Sequence, residues 1–315
     1  MSEVVLKVDR LSKSYEIGSP VVKNISFEVK KGQVITLFGE SGCGKSTLLK
    51  MISGYLEPDH GRVFINDRKL PYPSEILIPG DANIELVKQD YDLFPNHKVD
   101  EVLHYKLRKY IDEYVEERTV ELLDACGLLP YRHRIVKTLS GGQQQRLAFA
   151  QALADEPDVI LLDEPFNSLD SIKRRGLRSL VKKVVETYQL SVVMVTHDIE
   201  DVFSLTDHLI IMKNGQVESR GTVNELYYKP STYFVTELLG EINYIDQTRK
   251  TAIRPEDIKL ESGGQARIIE QSFTGAYYRI EVLENKKSWI VYSTNQLDEN
   301  KNYSIILNES KLILY

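Results

Sequence analysis

The residues from Gly39 to Thr47 carry the clearest chemical pattern in the chain, because they fit the motif G-x-x-x-x-G-K-[ST]. Glycines let a backbone turn its N–H groups onto phosphate oxygens without a side-chain clash. The motif predicts that Lys45 places its charge between the β- and γ-phosphates of a nucleotide and that the Ser46 hydroxyl binds Mg²⁺. The residues predicted to contact the nucleotide are Gly39, Ser41, Gly42, Cys43, Gly44, Lys45, Ser46 and Thr47.

One member of this motif, Cys43, carries a thiol. A helix N-terminus lowers the pKa of a thiol, so one interpretation is a redox switch. The other is a small residue that fits a tight turn, and we favour it. The only other cysteine, Cys126, is distant in sequence, which argues against a disulfide scaffold and fits a reducing cytosol.

Two adjacent carboxylates, Asp163 and Glu164, follow the apolar run at 159–162. An acid at the end of a buried strand lies at the carboxyl edge of the sheet, where open α/β folds bind their ligands. We expect Asp163 to contribute to the Mg²⁺ shell. We expect Glu164 to lie beside an attacking water, as its base or its positioning group.

A serine and two glycines open a predicted helix at 140–154. Ser140 is a favourable N-cap, and Gly141 and Gly142 leave the first helical N–H groups uncovered, with Gln143 next. These features predict a second anion site on the same chain.

Apolar spacing predicts the elements that must position these groups. Alternation at 25–29 and short apolar runs at 34–38, 159–162 and 192–195 predict strands. Steps of three and four residues from Leu103 through Val115 predict one helical face, which continues to Cys126 and stops at Gly127. This region lacks a strand signal and is interpreted as a helical insertion.

The last third of the chain is richer in β patterns. Asn214-Gly215 predicts a hairpin with a type I′ turn. Five β-like runs predict a small β-barrel. They lie at 266–269, 277–283, 288–292, 304–307 and 311–315.

Composition narrows the function classes. The 315 residues are 42% hydrophobic and 27% charged, which fits a globular protein. Their apolar runs are far shorter than the roughly 20 residues of a spanning helix, and the first residues lack a signal-peptide pattern. The net charge of −6 argues against a large nucleic-acid footprint.

Taken in order, the motifs at 39–47, 139–146 and 159–164 resemble those of the nucleotide-binding subunits of ATP-binding cassette (ABC) transporters. The resemblance implies an α/β P-loop ATPase domain at 1–240, with a helical subdomain at about 90–155. The segments at 226–230, 239–243 and 252–258 are similar to the linker and the C-terminal TOBE-like, OB-type barrel of bacterial importer ATPases. They imply a second, all-β domain at 241–315.

The resemblance also implies roles for single residues. Tyr15 corresponds to the aromatic residue that stacks on adenine, and His197 to the switch histidine that contacts the γ-phosphate. Gln89 corresponds to the glutamine that touches Mg²⁺ or water and senses the permease, although Lys88 replaces the usual aromatic residue before it. Asp170 belongs to the loop that crosses a dimer interface. The implied catalytic set is Glu164, His197 and Gln89, and the implied metal set is Ser46, Gln89 and Asp163.

In this family two subunits pack head to tail, and each ATP lies between the lysine loop of one subunit and the Ser140 region of the other. The resemblance implies an ATPase homodimer on the cytoplasmic face of the membrane, bound to separate permease subunits and served by an extracytoplasmic solute-binding protein. The importers concerned carry polyamines, sugars, ferric iron or oxyanions. The barrel would serve in dimer contact or in regulation.

Two other functions are weighed against transport. The first is a soluble ABC-class ATPase that acts on ribosomes or DNA. The sequence disfavours it because the chain has one cassette where ribosome-acting members have two, lacks the heptad repeats of the coiled coils in DNA-acting members, and carries a net negative charge. A degenerate regulatory nucleotide binder is disfavoured because Lys45, Asp163, Glu164 and His197 are all present.

Overall fold

The computed structural model describes residues 3–16, 18–88, 93–167, 169–246, 248 and 250–315. The chain divides into two compact units, Met1–Val223 and Asn224–Tyr315. The predicted linker at 224–240 therefore makes most of its contacts within the C-terminal unit. The functional boundary at residue 240 stays a prediction.

The first unit contains ten strands and six helices among the residues described. The strands are β1 (Val4–Glu16), β2 (Ser19–Lys30), β3 (Val34–Gly39), β4 (His60–Ile65), β5 (Arg68–Lys69), β6 (Ile84–Val87), β7 (Val159–Asp163), β8 (Ser191–Thr196), β9 (His208–Lys213) and β10 (Gln216–Gly221). The helices are α1 (Lys45–Ile52), α2 (Val99–Leu107), α3 (Asp112–Ala125), α4 (Gly141–Leu153), α5 (Ser171–Tyr188) and α6 (Ile199–Leu205).

A six-stranded sheet with the order β10-β9-β3-β8-β7-β6 forms the centre of this unit. Its pairs β9–β3, β3–β8, β8–β7 and β7–β6 are parallel, and β10 runs antiparallel to β9. Strands β3, β7 and β8 therefore end at the same edge. That edge carries Gly39, Asp163 and Thr196, the residues from which the chemical motifs begin.

The central strands are buried on both faces, as their uncharged sequences predict. Side chains alternate between two cores along β7: Ile160 and Leu162 pack with α2 to α5, whereas Val159 and Leu161 pack with α1, β1 and β2. A strand with two apolar faces can be covered on both sides. This double cover holds the carboxyl edge of the sheet in place.

A second, antiparallel sheet with the order β2-β1-β4-β5 covers one of these cores. The predicted alternation at 25–29 is confirmed, since Ile25, Phe27 and Val29 are buried and Glu28 is exposed. The predicted hairpin is also confirmed. Asn214 and Gly215 have φ angles of 50° and 79° between β9 and β10, as a type I′ turn requires.

The helical insertion is present, but the single helical face predicted from Leu103 to Val115 is wrong. The region forms α2 and α3, with Ile111 in an extended conformation at the N-cap of α3 and 72% exposed. Asp112 and Glu113 then occupy the first turn of α3, where acidic side chains favour a helix start. The predicted stop at Gly127 is confirmed by its φ of 65°.

The second unit combines two short helices with antiparallel sheets. It contains α7 (Val223–Tyr228), α8 (Tyr233–Leu238), β11 (Asn243–Tyr244), β12 (Thr251–Ile253), β13 (Ile258–Phe273), β14 (Tyr278–Glu284), β15 (Lys287–Ser293), β16 (Asn302–Leu307) and β17 (Ile313–Leu314). The sheets have the orders β11-β12-β17 and β15-β14-β13-β16. The predicted all-β character of 241–315 is confirmed for these strands, although Lys311 belongs to a 3₁₀ turn rather than to the last strand.

Arg254 fastens the helices of the second unit to its strands. It is 1% exposed and donates to the carbonyl oxygens of Thr236, Glu241 and Tyr227 at 3.1–3.3 Å. Its guanidinium also lies 4.1 Å from the centroid of the Tyr227 ring. Desolvation lowers the pKa of Arg254, and the surrounding carbonyl oxygens and ring offset part of that cost.

Replacing this side chain should therefore loosen the second unit. We expect Arg254→Met to lower its free energy of unfolding by about 2–4 kcal/mol, because three carbonyl groups lose charge-assisted hydrogen bonds. Trp289 is the single tryptophan of the chain and packs in the core of this unit, so denaturation followed by its fluorescence measures the change. Arg267→Met, at an exposed position of β13, is the matched control. Equal denaturation midpoints for the two variants would contradict the fastening role.

No helix in the part of the chain described here is long and apolar enough to cross a membrane.

Candidate functional site

The loop between β3 and α1 is the segment that was predicted to form a phosphate cradle. Gly44 caps α1 with a φ of 103°, and a Cβ atom there would lie 2.4 Å from the Val21 carbonyl oxygen. A Cβ atom on Gly39 would lie 2.3 Å from the Met212 carbonyl oxygen. Only glycine fits these two positions, because the chain passes too close to neighbouring backbone. Ser41 and Gly42 are exposed at the tip of the loop, and Thr47 is half-buried in the first turn of α1.

Lys45 points back across this loop. Its Nζ donates to the carbonyl oxygens of Gly39 and Glu40 at 2.8 Å each, and the residue is 5% exposed. Its ammonium also lies 3.7 Å from the Cys43 sulfur atom. The fold thus holds one positive charge inside the cradle, where a phosphate group could exchange for the two carbonyl contacts.

Ser46 and Asp163 meet where α1 begins and β7 ends. The Ser46 hydroxyl donates to Asp163 Oδ1 at 3.1 Å. Burial raises the pKa of the Asp163 carboxyl, while the hydrogen bond from Ser46 opposes that shift. A hydroxyl and a carboxylate are hard oxygen ligands of the kind that Mg²⁺ takes together with nucleotide phosphates and waters.

Glu164 stands next to Asp163 and faces His197. Its Oε1 lies 3.3 Å from His197 Nδ1, and its other carboxylate oxygen accepts from the Asn167 side chain. The Glu164 N–H donates to the Val195 carbonyl oxygen at 2.9 Å, which joins the ends of β7 and β8. Glu164 has a φ of 48°, in the left-handed region that costs a residue with a side chain about 1 kcal/mol. The backbone therefore holds this carboxylate toward the histidine.

The Ser140 region forms a second group with its own hydrogen bonds. Ser140 caps α4 by accepting from the Gln143 N–H at 3.4 Å, and the Gln143 side chain accepts from the Ser140 N–H at 2.9 Å. Ser140 and Gly141 are exposed, and a Cβ atom on Gly142 would lie 3.5 Å from Lys173 Cδ. The capping box therefore places an uncovered helix start beside the start of α5.

Asp170 caps that neighbouring helix. It accepts from the Lys173 N–H at 3.0 Å and pairs with Lys173 Nζ at 2.6 Å. These contacts hold the pKa of its exposed carboxyl below its usual range. Lys173 thus contacts both Asp170 and the backbone position of Gly142.

Two further residues, Tyr15 and Gln89, were predicted to belong to the site. Tyr15 lies near the end of β1 and is 62% exposed, as a ring that stacks on a ligand would be. Gln89 lies outside the described residues, so its predicted roles stay predictions.

Asn167, which donates to Glu164, was not among the residues predicted for the site. Its position three residues after the carboxylate was the available signal, because such a spacing lets a turn bring two side chains together.

Among the residues that the structure describes, no three His, Cys, Asp or Glu side chains form a metal-binding cluster. Ser46 and Asp163 together supply one hydroxyl and one carboxylate. A cation bound by these two residues would therefore need further ligands from the nucleotide or from water.

Known proteins resemble this chain in sequence and in fold. A family model described as ABC transporter matches residues 22–167. The spermidine/putrescine import ATP-binding proteins PotA of Borrelia garinii subsp. bavariensis and Clostridioides difficile are each 32% identical to this chain. The alignments cover 98% and 95% of this chain and 97% and 94% of those proteins. The chain belongs to the ABC transporter family.

This ABC protein also matches solved structures. The structure of cbiO1 from Clostridium perfringens, part of the ABC transporter complex cbiONQ, superposes with a TM-score of 0.65 at 28% identity and covers 71% of this chain and 90% of that one. An ATP-binding cassette of an ABC transporter in its ADP conformation gives a TM-score of 0.66 at 24% identity. It covers 76% of this chain and all of that chain, and supports the fold alone.

These likenesses confirm the predicted α/β P-loop fold followed by β structure. They also identify this ABC protein as the ATP-binding, ATP-hydrolysing subunit of an importer. The alternative of a soluble ATPase acting on ribosomes or DNA is not favoured.

Proposed function

We propose that two copies of this ABC ATPase close around ATP and hydrolyse it to drive a separate membrane permease that imports polyamines. The observation that supports the dimer is that the two groups on one chain make different sets of contacts. Lys45, Ser46 and Asp163 form one set of contacts, while the Ser140 helix start and Asp170 form another around Lys173. Two such chains related by a twofold axis could each complete the other's site.

Within this proposal, Lys45 and the loop N–H groups hold the β- and γ-phosphates. Ser46 and Asp163 would hold Mg²⁺, which when bound neutralises charge on the phosphate oxygens. Gln89 would add a further contact to the ion or to the attacking water. Tyr15 stacks on the adenine ring.

Glu164 is the proposed base or positioning group for the attacking water, and His197 contacts the γ-phosphate. Their separation of 3.3 Å supports this assignment, because both side chains converge at one point beside Asp163. Asn167 orients the second carboxylate oxygen of Glu164. The glutamate can therefore face a water without rotating away.

Ser140, Gly141, Gly142, Gln143 and Asp170 of the partner chain then close the site over the γ-phosphate. The helix start of α4 offers N–H groups and a positive dipole end to that phosphate. ATP thus joins the two chains, and hydrolysis releases them.

A bulky residue at this helix start should separate binding from turnover. In Ser140→Arg we expect ATP binding within about threefold of the native value, because the Lys45 cradle is intact, and a turnover number at least about a hundredfold lower. Equilibrium binding of a fluorescent ATP analogue and a phosphate-release assay measure the two quantities.

Two controls isolate the role of the helix start. Ser140→Ala removes the N-cap oxygen, at a cost of about 1 kcal/mol of stability, but leaves the space open. Thr232→Arg places the same bulk at the N-cap of α8 in the second unit. Native turnover in Ser140→Arg would exclude this helix start from the site.

The proposed partners follow from the relatives. Two of those relatives are spermidine/putrescine import ATP-binding proteins, and one solved relative is part of a transporter complex. We propose that this chain binds integral membrane permease subunits at the cytoplasmic face of the membrane. An extracytoplasmic solute-binding protein delivers the solute to those subunits from the opposite side. The segment at 241–315 is proposed to be a TOBE-like domain.

A transport assay tests the solute class. The complex purified through a tag on this chain should contain integral membrane subunits, and after reconstitution it should take up labelled spermidine or putrescine when ATP is enclosed. Uptake of a sugar or an oxyanion instead would reject the polyamine assignment and keep the importer. Recovery of the chain from membranes without any integral partner would reject the coupled permease.

A further inference from the structure

Two arginines on one face of α5 connect the loop that follows Glu164 with the loop that carries His197. Arg174 pairs with Asp198, and its other terminal nitrogen donates to the Leu169 carbonyl oxygen at 3.5 Å. Arg178 pairs with Asp201, and its guanidinium lies 6.0 Å from the centroid of the buried Phe166 ring. Positions four apart lie on the same side of a helix, so both arginines reach the same pair of loops.

The loop that carries His197 is very short. His197 and Asp198 alone separate β8 from α6. Thr196 donates through Oγ1 to Asp201 at 2.6 Å and accepts at the same atom from the Asp198 N–H at 3.0 Å. The backbone on both sides of His197 is therefore held by Thr196, Asp198 and Asp201.

Those two aspartates depend on the arginines of α5. Asp201 is 2% exposed, and its carboxylate oxygens accept from Arg178 Nε at 2.5 Å and from Thr196. Arg178 is 8% exposed and also pairs with Glu200 at 2.8 Å. A buried network of ion pairs and hydrogen bonds of this kind favours one geometry over its alternatives.

We propose that Arg174 and Arg178 are positioning residues for ATP hydrolysis, which hold His197 at its working distance from Glu164. This inference rests on the proposed roles of Glu164 and His197. One loop follows β7 and the other follows β8, and the two arginines of α5 contact residues of both loops. A small change in their relative position would separate the histidine from the carboxylate.

Arg174 is the better residue to replace, because the side chains of Arg174 and Asp198 are 26% and 19% exposed. Removing Arg174 therefore does not leave a fully buried charge without its partner. We expect Arg174→Gln to lower kcat about tenfold or more, with the KM for ATP and the melting temperature unchanged. Arg174→Lys should recover part of this loss, because it keeps the ion pair with Asp198. Arg175→Gln makes the same change at the exposed neighbouring residue and should leave kcat unchanged.

A double-mutant cycle separates positioning of His197 from general damage. In a His197→Ala chain, single-turnover hydrolysis should be equally slow with and without Arg174→Gln, because the residue being positioned is gone. A second loss of similar size in that background would overturn the inference, and so would native kcat in Arg174→Gln alone. If His197→Ala by itself hydrolyses ATP at the native rate, the proposed role of His197 fails instead.

Discussion

The Glu164→Gln chain should bind ATP as tightly as the native chain and hydrolyse it at least about a hundredfold more slowly. Glutamine keeps the shape of the side chain, so the nucleotide site built by Lys45 and Ser46 is unchanged. It removes the negative charge and the basic oxygen that lie 3.3 Å from His197. Binding and turnover should therefore separate completely.

The same variant should accumulate as an ATP-bound dimer. If closure needs ATP and opening needs hydrolysis, a chain that binds but does not hydrolyse stays closed. Gel filtration with and without ATP measures the dimer fraction, and phosphate release measures turnover. Glu186→Gln, at an exposed position on α5, is the matched control. A native hydrolysis rate in Glu164→Gln would remove Glu164 from the catalytic role.

Lys45→Ala should lose nucleotide affinity about a hundredfold or more. Lys45 is the charged group inside the cradle, where it makes two hydrogen bonds of 2.8 Å that phosphate oxygens could replace. Charge-assisted hydrogen bonds contribute about 1.5–3 kcal/mol each, and a factor of ten in affinity corresponds to about 1.4 kcal/mol. Losing one or two of them gives an effect of the expected size.

Isothermal titration with ATP measures this loss. Lys50→Ala removes an exposed lysine from the same helix and should keep affinity within about threefold. A melting temperature near the native value in Lys45→Ala would show that the loop still folds. Native affinity in a folded Lys45→Ala chain would contradict the cradle assignment.

The parts of the site that sequence predicted are those fixed by local chemistry. A glycine-rich turn needs its glycines wherever the chain passes close to itself, as Gly39 and Gly44 do. A buried parallel strand must end at the sheet edge, so Asp163 could be placed there from its apolar neighbours alone. The capping box of Ser140 and Gln143 is likewise a local pattern.

What escaped prediction depends on contacts between distant segments. The ion pairs Arg174–Asp198 and Arg178–Asp201 join α5 to the start of α6. They were not predicted because an arginine on a helix surface is usually exposed to solvent. Ile111 continued an apolar spacing, yet the charged pair after it started a new helix. Periodicity records which face is apolar but not where a helix breaks.

The backbone conformation of Glu164 affects which variants a screen for thermal stability would select. Its φ of 48° suits glycine or asparagine better than glutamate, so the native residue gives up roughly 1 kcal/mol of folding free energy at this position. A library screened for thermal tolerance alone would favour Glu164→Gly and enrich chains that no longer turn over ATP. A screen for a more heat-stable transporter must therefore either keep glutamate at position 164 or select for solute uptake together with stability.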